Sequence, residues 1–315
     1  MIFLAAPMEG VTGRVWRRVH ARFYPGVCRY YAPFFSPSGD HNFPLRGLTD
    51  LLPEENPGVR LVPQLLTNRA EDFIWAAKVL KDAGYDEINL NIGCPMATVV
   101  TKKKGAGMLL DTEHQKFFFD RVFEENDMPK VSIKTRLGFA DPEEAKSLGR
   151  LYSAYPFSEV IIHARVREDY YANPTNPEAF AEMAERLTCP VCYNGDIRTV
   201  ADAISLKERF PMLNRIMIGR GLLANPDLAG KIRAYEKGTL CLPELPSNEE
   251  IRVFLDDLWN NYSEELSGER DVLFKMKELW FHMGSNYPEH KKALETIRKC
   301  KTSEEYHRAV KEILY

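Results

Sequence analysis

Short apolar runs bounded by Gly, Pro, Asn and Asp recur along the first part of the chain, and their spacing predicts a strand at each. They fall at Ile2–Ala6, Val27–Tyr31, Leu61–Leu65, Glu87–Asn91, Val131–Thr135, Val160–His163, Val191–Tyr193 and Ile216–Ile218. Helical stretches separate them at Gly13–Phe23, Arg69–Ala83, Thr112–Glu125, Pro142–Ala154, Pro177–Arg186 and Thr199–Arg209. Strands that are apolar almost throughout suit a parallel sheet covered on both faces, because a half-solvated strand would alternate. Eight such repeats over roughly 240 residues fit a closed (β/α)8 TIM barrel, with an open doubly wound sheet as the structural alternative. After Leu240 the pattern changes to a linker at Pro243-Glu244-Leu245-Pro246-Ser247, then helices at Asn248–Glu265, Glu269–Gly284 and two more before Tyr315. The expected organisation is a catalytic barrel over residues 1–240 and a small C-terminal helical domain over 247–315.

Polar residues interrupt this pattern where a barrel would use them. Pro7-Met8-Glu9-Gly10, Gln64, Asn91 to Cys94, Lys134-Thr135-Arg136, His163-Ala164-Arg165, Asn194-Gly195-Asp196 and Gly219-Arg220-Gly221 all lie at or just after the carboxyl end of a predicted strand. In a barrel those ends converge on the catalytic face. Cys94 is set between Gly93 and Pro95, which presents one thiol at a strand end, although a free cysteine also serves as core filler. The last two junctions, with their glycines and Arg220, are placed to hold a phosphate; the plain alternative for Gly219-Arg220-Gly221 is a turn with a solvated arginine. Lys134 follows Val131-Ser132-Ile133 inside a strand, points toward the mouth, and needs an anion there. A reduced flavin would satisfy it, with Gln64 on the ring's edge, His163 near ring or phosphate, and Ala6-Pro7-Met8 as a wall.

Composition narrows the possibilities without adding chemistry. A net charge of −3 and a pI of about 6.2 give no global support for a nucleic-acid ligand, so any basic surface is local. No apolar run approaches the ~20 residues of a membrane helix, and the start Met1-Ile2-Phe3-Leu4 reads as no secretion signal, so a cytoplasmic protein without a membrane span is expected. The 6 cysteines lack the density of a disulfide scaffold, and Cys189-Pro190-Val191-Cys192 lies in a predicted strand with no second ligand pair, so reduced thiols and no metal site are expected.

Six motifs in order resemble those of the tRNA-dihydrouridine synthases. They are Ala5-Ala6-Pro7-Met8-Glu9-Gly10; Asn91-Ile92-Gly93-Cys94-Pro95 with Gly105-Ala106-Gly107-Met108-Leu109-Leu110; Lys134-Thr135-Arg136-Leu137-Gly138; His163-Ala164-Arg165; Asn194-Gly195-Asp196-Ile197; and Met217-Ile218-Gly219-Arg220-Gly221. The match spans nearly the whole chain, and the helical tail resembles that family's RNA-binding domain. The resemblance implies tightly bound FMN, NADPH as electron donor and a uridine of tRNA as substrate. Carried over by motif, Pro7, Met8, Glu9 and Gln64 would line the isoalloxazine, Lys134 and His163 would contact ring or ribityl phosphate, and Asn194, Gly195, Asp196, Gly219 and Arg220 would hold the phosphate end. Hydride would pass from the reduced flavin to C6 of the uracil, and Cys94 would act as general acid toward C5, since an ordinary thiol with pKa near 8.5 is mostly protonated at neutral pH. Asn91, Lys134 and Arg136 could orient the uracil. Two departures stand out: Ala164 and Val166 replace the commoner glycine and threonine, and Tyr193 precedes Asn194 where a small residue is usual.

A uracil within folded RNA reaches a barrel mouth only if it is swung out of its stack, so the protein must grip the surrounding RNA. Candidate grips are Lys102-Lys103-Lys104, Arg165, Arg167, the first-helix arginines Arg14, Arg17, Arg18 and Arg22, and the tail residues Lys291, Lys292, Arg298, Lys299 and Lys301, each with a solvated surface role as the alternative. A monomeric FMN-dependent reductase of a tRNA uridine is the leading reading. An FMN barrel acting on a free pyrimidine or enone, and a catalytically silent tRNA-binding paralogue, remain as alternatives. Neither the position reduced nor the choice of NADPH over NADH is legible in the sequence.

Overall fold

A computed structural model describes residues 1–37, 39, 41, 45–239 and 245–315. Pro243 and Glu244 of the expected linker, and Leu240, Cys241 and Leu242 before it, lie outside the described residues. In chain order the structure runs β1 (Ile2–Ala5), α1 (Arg14–Phe23), β2 (Arg29–Tyr31), α2 (Leu45–Leu51), β3 (Leu61–Val62), β4 (Gln64–Leu65), α3 (Ala70–Asp82), β5 (Glu87–Asn91), α4 (Ala97–Val100) and α5 (Thr112–Glu124). It continues with β6 (Lys130–Gly138), α6 (Glu144–Ser153), β7 (Val160–Val166), α7 (Pro177–Ala184), β8 (Val191–Asn194), α8 (Val200–Arg209), β9 (Arg215–Ile218), α9 (Arg220–Ala224) and α10 (Leu228–Glu236). The tail holds α11 (Asn248–Glu265), α12 (Glu269–Met283), α13 (Lys291–Lys299) and α14 (Ser303–Leu314).

Every strand pairing is parallel, and the sheet order is β3-β2-β1-β9-β8-β7-β6-β5-β4. Its two ends, β3 and β4, are the halves of the single expected strand Leu61–Leu65, split at Pro63, whose ring nitrogen carries no hydrogen for the ladder. The carbonyl of Pro63 still accepts from Asn89 N at 2.9 Å, so the chain itself joins the two ends and the barrel closes. β6 and β7 run longer than the apolar pattern indicated, and their register shifts at a bulge between Arg136 and Gly138.

The amino-terminal end of the barrel is plugged by charge that cancels internally. Glu159 accepts from Arg29 at 2.7 Å, Arg215 at 2.7 Å and the Tyr31 hydroxyl at 3.0 Å, while Glu87 takes the other side of Arg29 at 2.8 Å. Arg29, Glu87 and Arg215 each open a strand, so parallel alignment alone brings them together.

The tail docks on the barrel rather than trailing from it. Ser247 and Glu250 form the capping box that starts α11. Phe254 of α11 meets Phe23 and Tyr24 edge-on, with centroids 5.7 and 5.3 Å away. Arg14 and Arg18 of α1 pair with Glu265, and Arg22 with Asp257. These arginines were expected to grip RNA; they face the tail instead, because that is the face of α1 that α11 covers. Arg17 is wholly buried and spends its guanidinium on Asp50, Asn56 and the Thr12 carbonyl, so it too is a structural staple. We predict that Glu159→Ala, which strands Arg215 and leaves Arg29 with Glu87 alone, destabilises the protein by about 3–5 kcal/mol. Urea unfolding measures it, and an unchanged midpoint would remove the floor cluster from the stabilising interactions.

Candidate active site

The turn after β5 is built from its own strand. Asn91 Oδ1 accepts from the N–H groups of Gly93 and Cys94 at 3.0 and 2.9 Å, and Asn91 Nδ2 donates to Gln64 Oε1 at 2.8 Å. Gln64 in turn donates to Asn89 at 2.8 Å, and Asn89 to Ser132 at 2.9 Å, an amide ladder across three neighbouring strands. Arg136 fixes the same turn from outside, donating to the carbonyls of Gly93 and Val166, each at 2.8 Å, and of Tyr170 at 3.0 Å. Behind Cys94 the chain returns at Gly105, whose φ is +55°; a Cβ there would sit 3.0 Å from the Cys94 carbonyl oxygen. The glycine run after the cysteine thus backs the Cys94 turn directly.

These elements open one cavity of about 480 Å³ at the carboxyl ends of the strands. Pro7, Met8, Glu9, Gln64, Asn91, Cys94, Lys134, Arg136, His163, Asn194, Gly195, Asp196, Gly219 and Arg220 all line it. Arg165 and Lys104 do not. Arg165 is buried beneath the wall, where it ion-pairs with Asp196, donates to the Asn173 carbonyl at 2.6 Å and reaches His163 Nε2 at 3.2 Å. Lys104 donates to Ser36 at 2.9 Å on the outer side of the Cys94 loop. Asn91 and Arg136, expected at the substrate, have most of their polar atoms committed to holding the turn.

Electrostatically the cavity offers Lys134 no anion of its own. Lys134 is half-buried, and its side chain makes no hydrogen bond or ion pair among the described residues; burial, reinforced by nearby Arg136, pushes its ammonium down to about 8. The carboxylates nearby do not answer it. Asp196 is taken by Arg165 and Arg220 and is held below its ordinary pKa by those two arginines against the opposing effect of burial. Glu9 is raised by burial. His163 is held well below its usual value by burial and then by Arg136 and Lys134, so it is neutral, and a guanidinium donating to Nε2 leaves its proton on Nδ1. Burial likewise raises the Cys94 thiol, with Met96 backbone, Arg136 and Lys134 pulling the other way.

The phosphate-type turn depends on close approach. A Cβ on Gly221 would lie 2.2 Å from the Ile197 carbonyl oxygen, so only glycine lets the start of α9 meet the Asn194–Ile197 turn. Tyr193, the departure noted in the sequence, fits because Gly195 has no side chain: a Cβ there would lie 2.5 Å from its hydroxyl. Sequence reasoning missed the aromatic rim. Tyr171, in the loop after β7, lies between the guanidinium groups of Arg136 and Arg220 at 5.4 and 5.3 Å from its centroid; an adjacent Tyr170-Tyr171 pair just past a barrel strand was the available signal. Phe34 and Phe281 also line the mouth, the latter from the tail.

A lysine whose folded pKa lies below its unfolded value, about 10.4, binds fewer protons when folded between the two. The stability of the ligand-free protein therefore gains a contribution as pH rises from about 8 toward that value, and Lys134→Met should flatten it. Denaturant midpoints of both proteins at neutral and alkaline pH check this; parallel pH curves would contradict it.

Known proteins resemble this chain over most of its length. The model of the dihydrouridine synthase (Dus) family matches residues 4–314. The tRNA-dihydrouridine(16) synthase of Aquipseudomonas alcaligenes is 29% identical over 292 residues, covering 90% of each chain. That of Pseudomonas putida is 30% identical over 292 residues, covering 90% of this chain and 88% of its own. Among solved structures, morphinone reductase matches with a TM-score of 0.53 at 14% identity, over 76% of this chain and 87% of that one, a likeness of fold alone. With a barrel whose rim gathers the cysteine turn, the lysine strand and the glycine turns, the chain belongs to the dihydrouridine synthase family.

Proposed function

We propose that this protein reduces a uridine of tRNA to 5,6-dihydrouridine, with FMN in the cavity and NADPH as the source of electrons. The observation that carries the proposal is an unpaired, half-buried lysine sharing one cavity wall with a protonated thiol. An anionic flavin ring fits that wall, because Lys134 supplies the counter-charge the cavity otherwise lacks. The relatives' names support tRNA as substrate, and position 16 as the uridine reduced.

When bound, the flavin supplies a hydride to C6 of the uracil. Lys134 would hold the electron-rich edge of the ring, the free Nδ1–H of His163 would donate nearby, and Pro7, Met8, Glu9 and Gln64 would form its wall. Asn194, Gly195, Gly219 and Arg220 would hold the phosphate, with Asp196 and Arg165 keeping Arg220 in place rather than touching the anion. Cys94 carries the proton that C5 takes up. Burial keeps that thiol protonated through neutral pH, and the thiolate left behind is stabilised by Arg136 and Lys134. Asn91 and Arg136 act on the reaction by fixing the Cys94 turn.

The extruded uridine needs its flanking RNA held. Exposed Lys102 and Lys103 beside the Cys94 turn, and Lys291, Lys292 and Lys301 on the tail, remain available for phosphates, whereas Arg165 is committed within the wall. The reading is of a monomeric enzyme, and a tRNA substrate supports action in the cytoplasm.

Cys94→Ala should retain flavin and lose roughly 10²- to 10⁴-fold in dihydrouridine formation; full activity would remove the acid assignment. The wild-type rate should stay level through neutral pH and decline only above the ordinary thiol value of about 8.5. Mapping dihydrouridine along tRNA from a strain lacking this protein tests the substrate: loss at position 16 is expected, and an unchanged map would overturn the reading.

A further inference from the structure

Helix α12 buries Val272, Leu273, Met276, Leu279, Trp280 and Met283 in the core of the tail. Its opposite face carries Phe274 and Phe281, two turns apart on one side of the helix and 57% and 81% exposed. Single exposed apolar side chains are ordinary; Met212, at 93% exposure, is one that lies off the cavity wall. Phe281 is different, because among the described residues of the tail it alone lines the cavity that holds Cys94.

Two contacts tie this helix to the barrel, one from its middle and one from just past its end. Lys275 donates to the Gly10 carbonyl at 2.5 Å, and Asn286, just past the helix, donates to the Ala224 carbonyl at 2.7 Å. His282 meets the Phe281 ring edge-on at 5.2 Å. Two guanidinium groups, Arg198 and Arg220, line the wall beside it, and Arg198 is exposed with no ion pair among the described residues. On α12 the basic residues Arg270, Lys275 and Lys277 are matched by Glu269, Asp271 and Glu278, so net positive charge is not what this helix offers a polyanion. It offers an aromatic face.

Swinging a base out of an RNA stack exposes the face of its neighbour, and a protein ring can replace the lost stacking whatever the sequence. We infer that Phe281 stacks on the nucleobase adjacent to the extruded uridine of tRNA, with Arg198 on the intervening phosphate. This rests on the proposed function, because it presupposes that a base from RNA enters the cavity.

The test uses the full-length flavin-loaded protein and unmodified tRNA transcript, with Phe281→Ala, Phe281→Leu and Phe281→Trp. Replacing the ring by Ala or Leu should lower kcat/KM for dihydrouridine formation by roughly 10- to 100-fold, the range expected for one lost base stack, while Trp stays near wild type. Flavin content and absorbance should match the wild type. A transcript abasic beside the target should be a poor substrate for wild type, with little further loss on Phe281→Ala. Leu performing as well as Phe would reduce the ring to apolar cover and overturn the inference, as would loss of flavin from the Ala variant or an unaltered kcat/KM. Wild-type protein that forms no dihydrouridine would instead overturn the function on which the inference stands.

Discussion

A lysine drawn into a cavity without a carboxylate to meet it is the constraint on which the site is arranged. Lys134 stands with Arg136 on one wall, and the acids of the cavity do not pair with it: Asp196 is held by two arginines, and burial raises the pKa of Glu9. The opposite end of the same barrel shows what a purely structural solution looks like. There Arg29 and Arg215 are answered by Glu87 and Glu159 within hydrogen-bonding distance, and the two charges of each sign cancel. A closed charge cluster at the strand starts and an open one at the strand ends separate the stabilising from the functional face.

The open end stays rigid because backbone holds it. The Cys94 turn is tied by Asn91 from within and Arg136 from without, and Gly105 lets the following chain press against it. Each tie ends on a main-chain carbonyl or N–H, so the thiol's place depends on the strands and not on mobile side chains. Arg165 does the same for the opposite wall, locking Asp196 and setting the tautomer of His163 from beneath. Residues expected to touch substrate thus hold the groups that line the cavity.

Much of this was legible in the residues. Strand order, the carboxyl-end placement of the motifs, and the departure to helices after the barrel all follow from periodicity and from parallel strands, which force like ends together. The third strand was misread as continuous because its apolar pattern hides the missing N–H of Pro63. The first-helix arginines were misread because a basic stripe looks the same whether it faces solvent or the carboxylates of a docked helix; only α11 distinguishes them.

The sequence by itself determined the repeat of strand and helix, the parallel sheet, and which chemical groups sit at strand ends, since these depend on local periodicity and on the direction the chain runs. Tertiary structure decided which of those groups face the cavity, which acids are already spent, and that Tyr171 and Phe281 reach the rim. Burial and pairing are properties of the surroundings, and the surroundings of a loop or helix face come from segments far away along the chain.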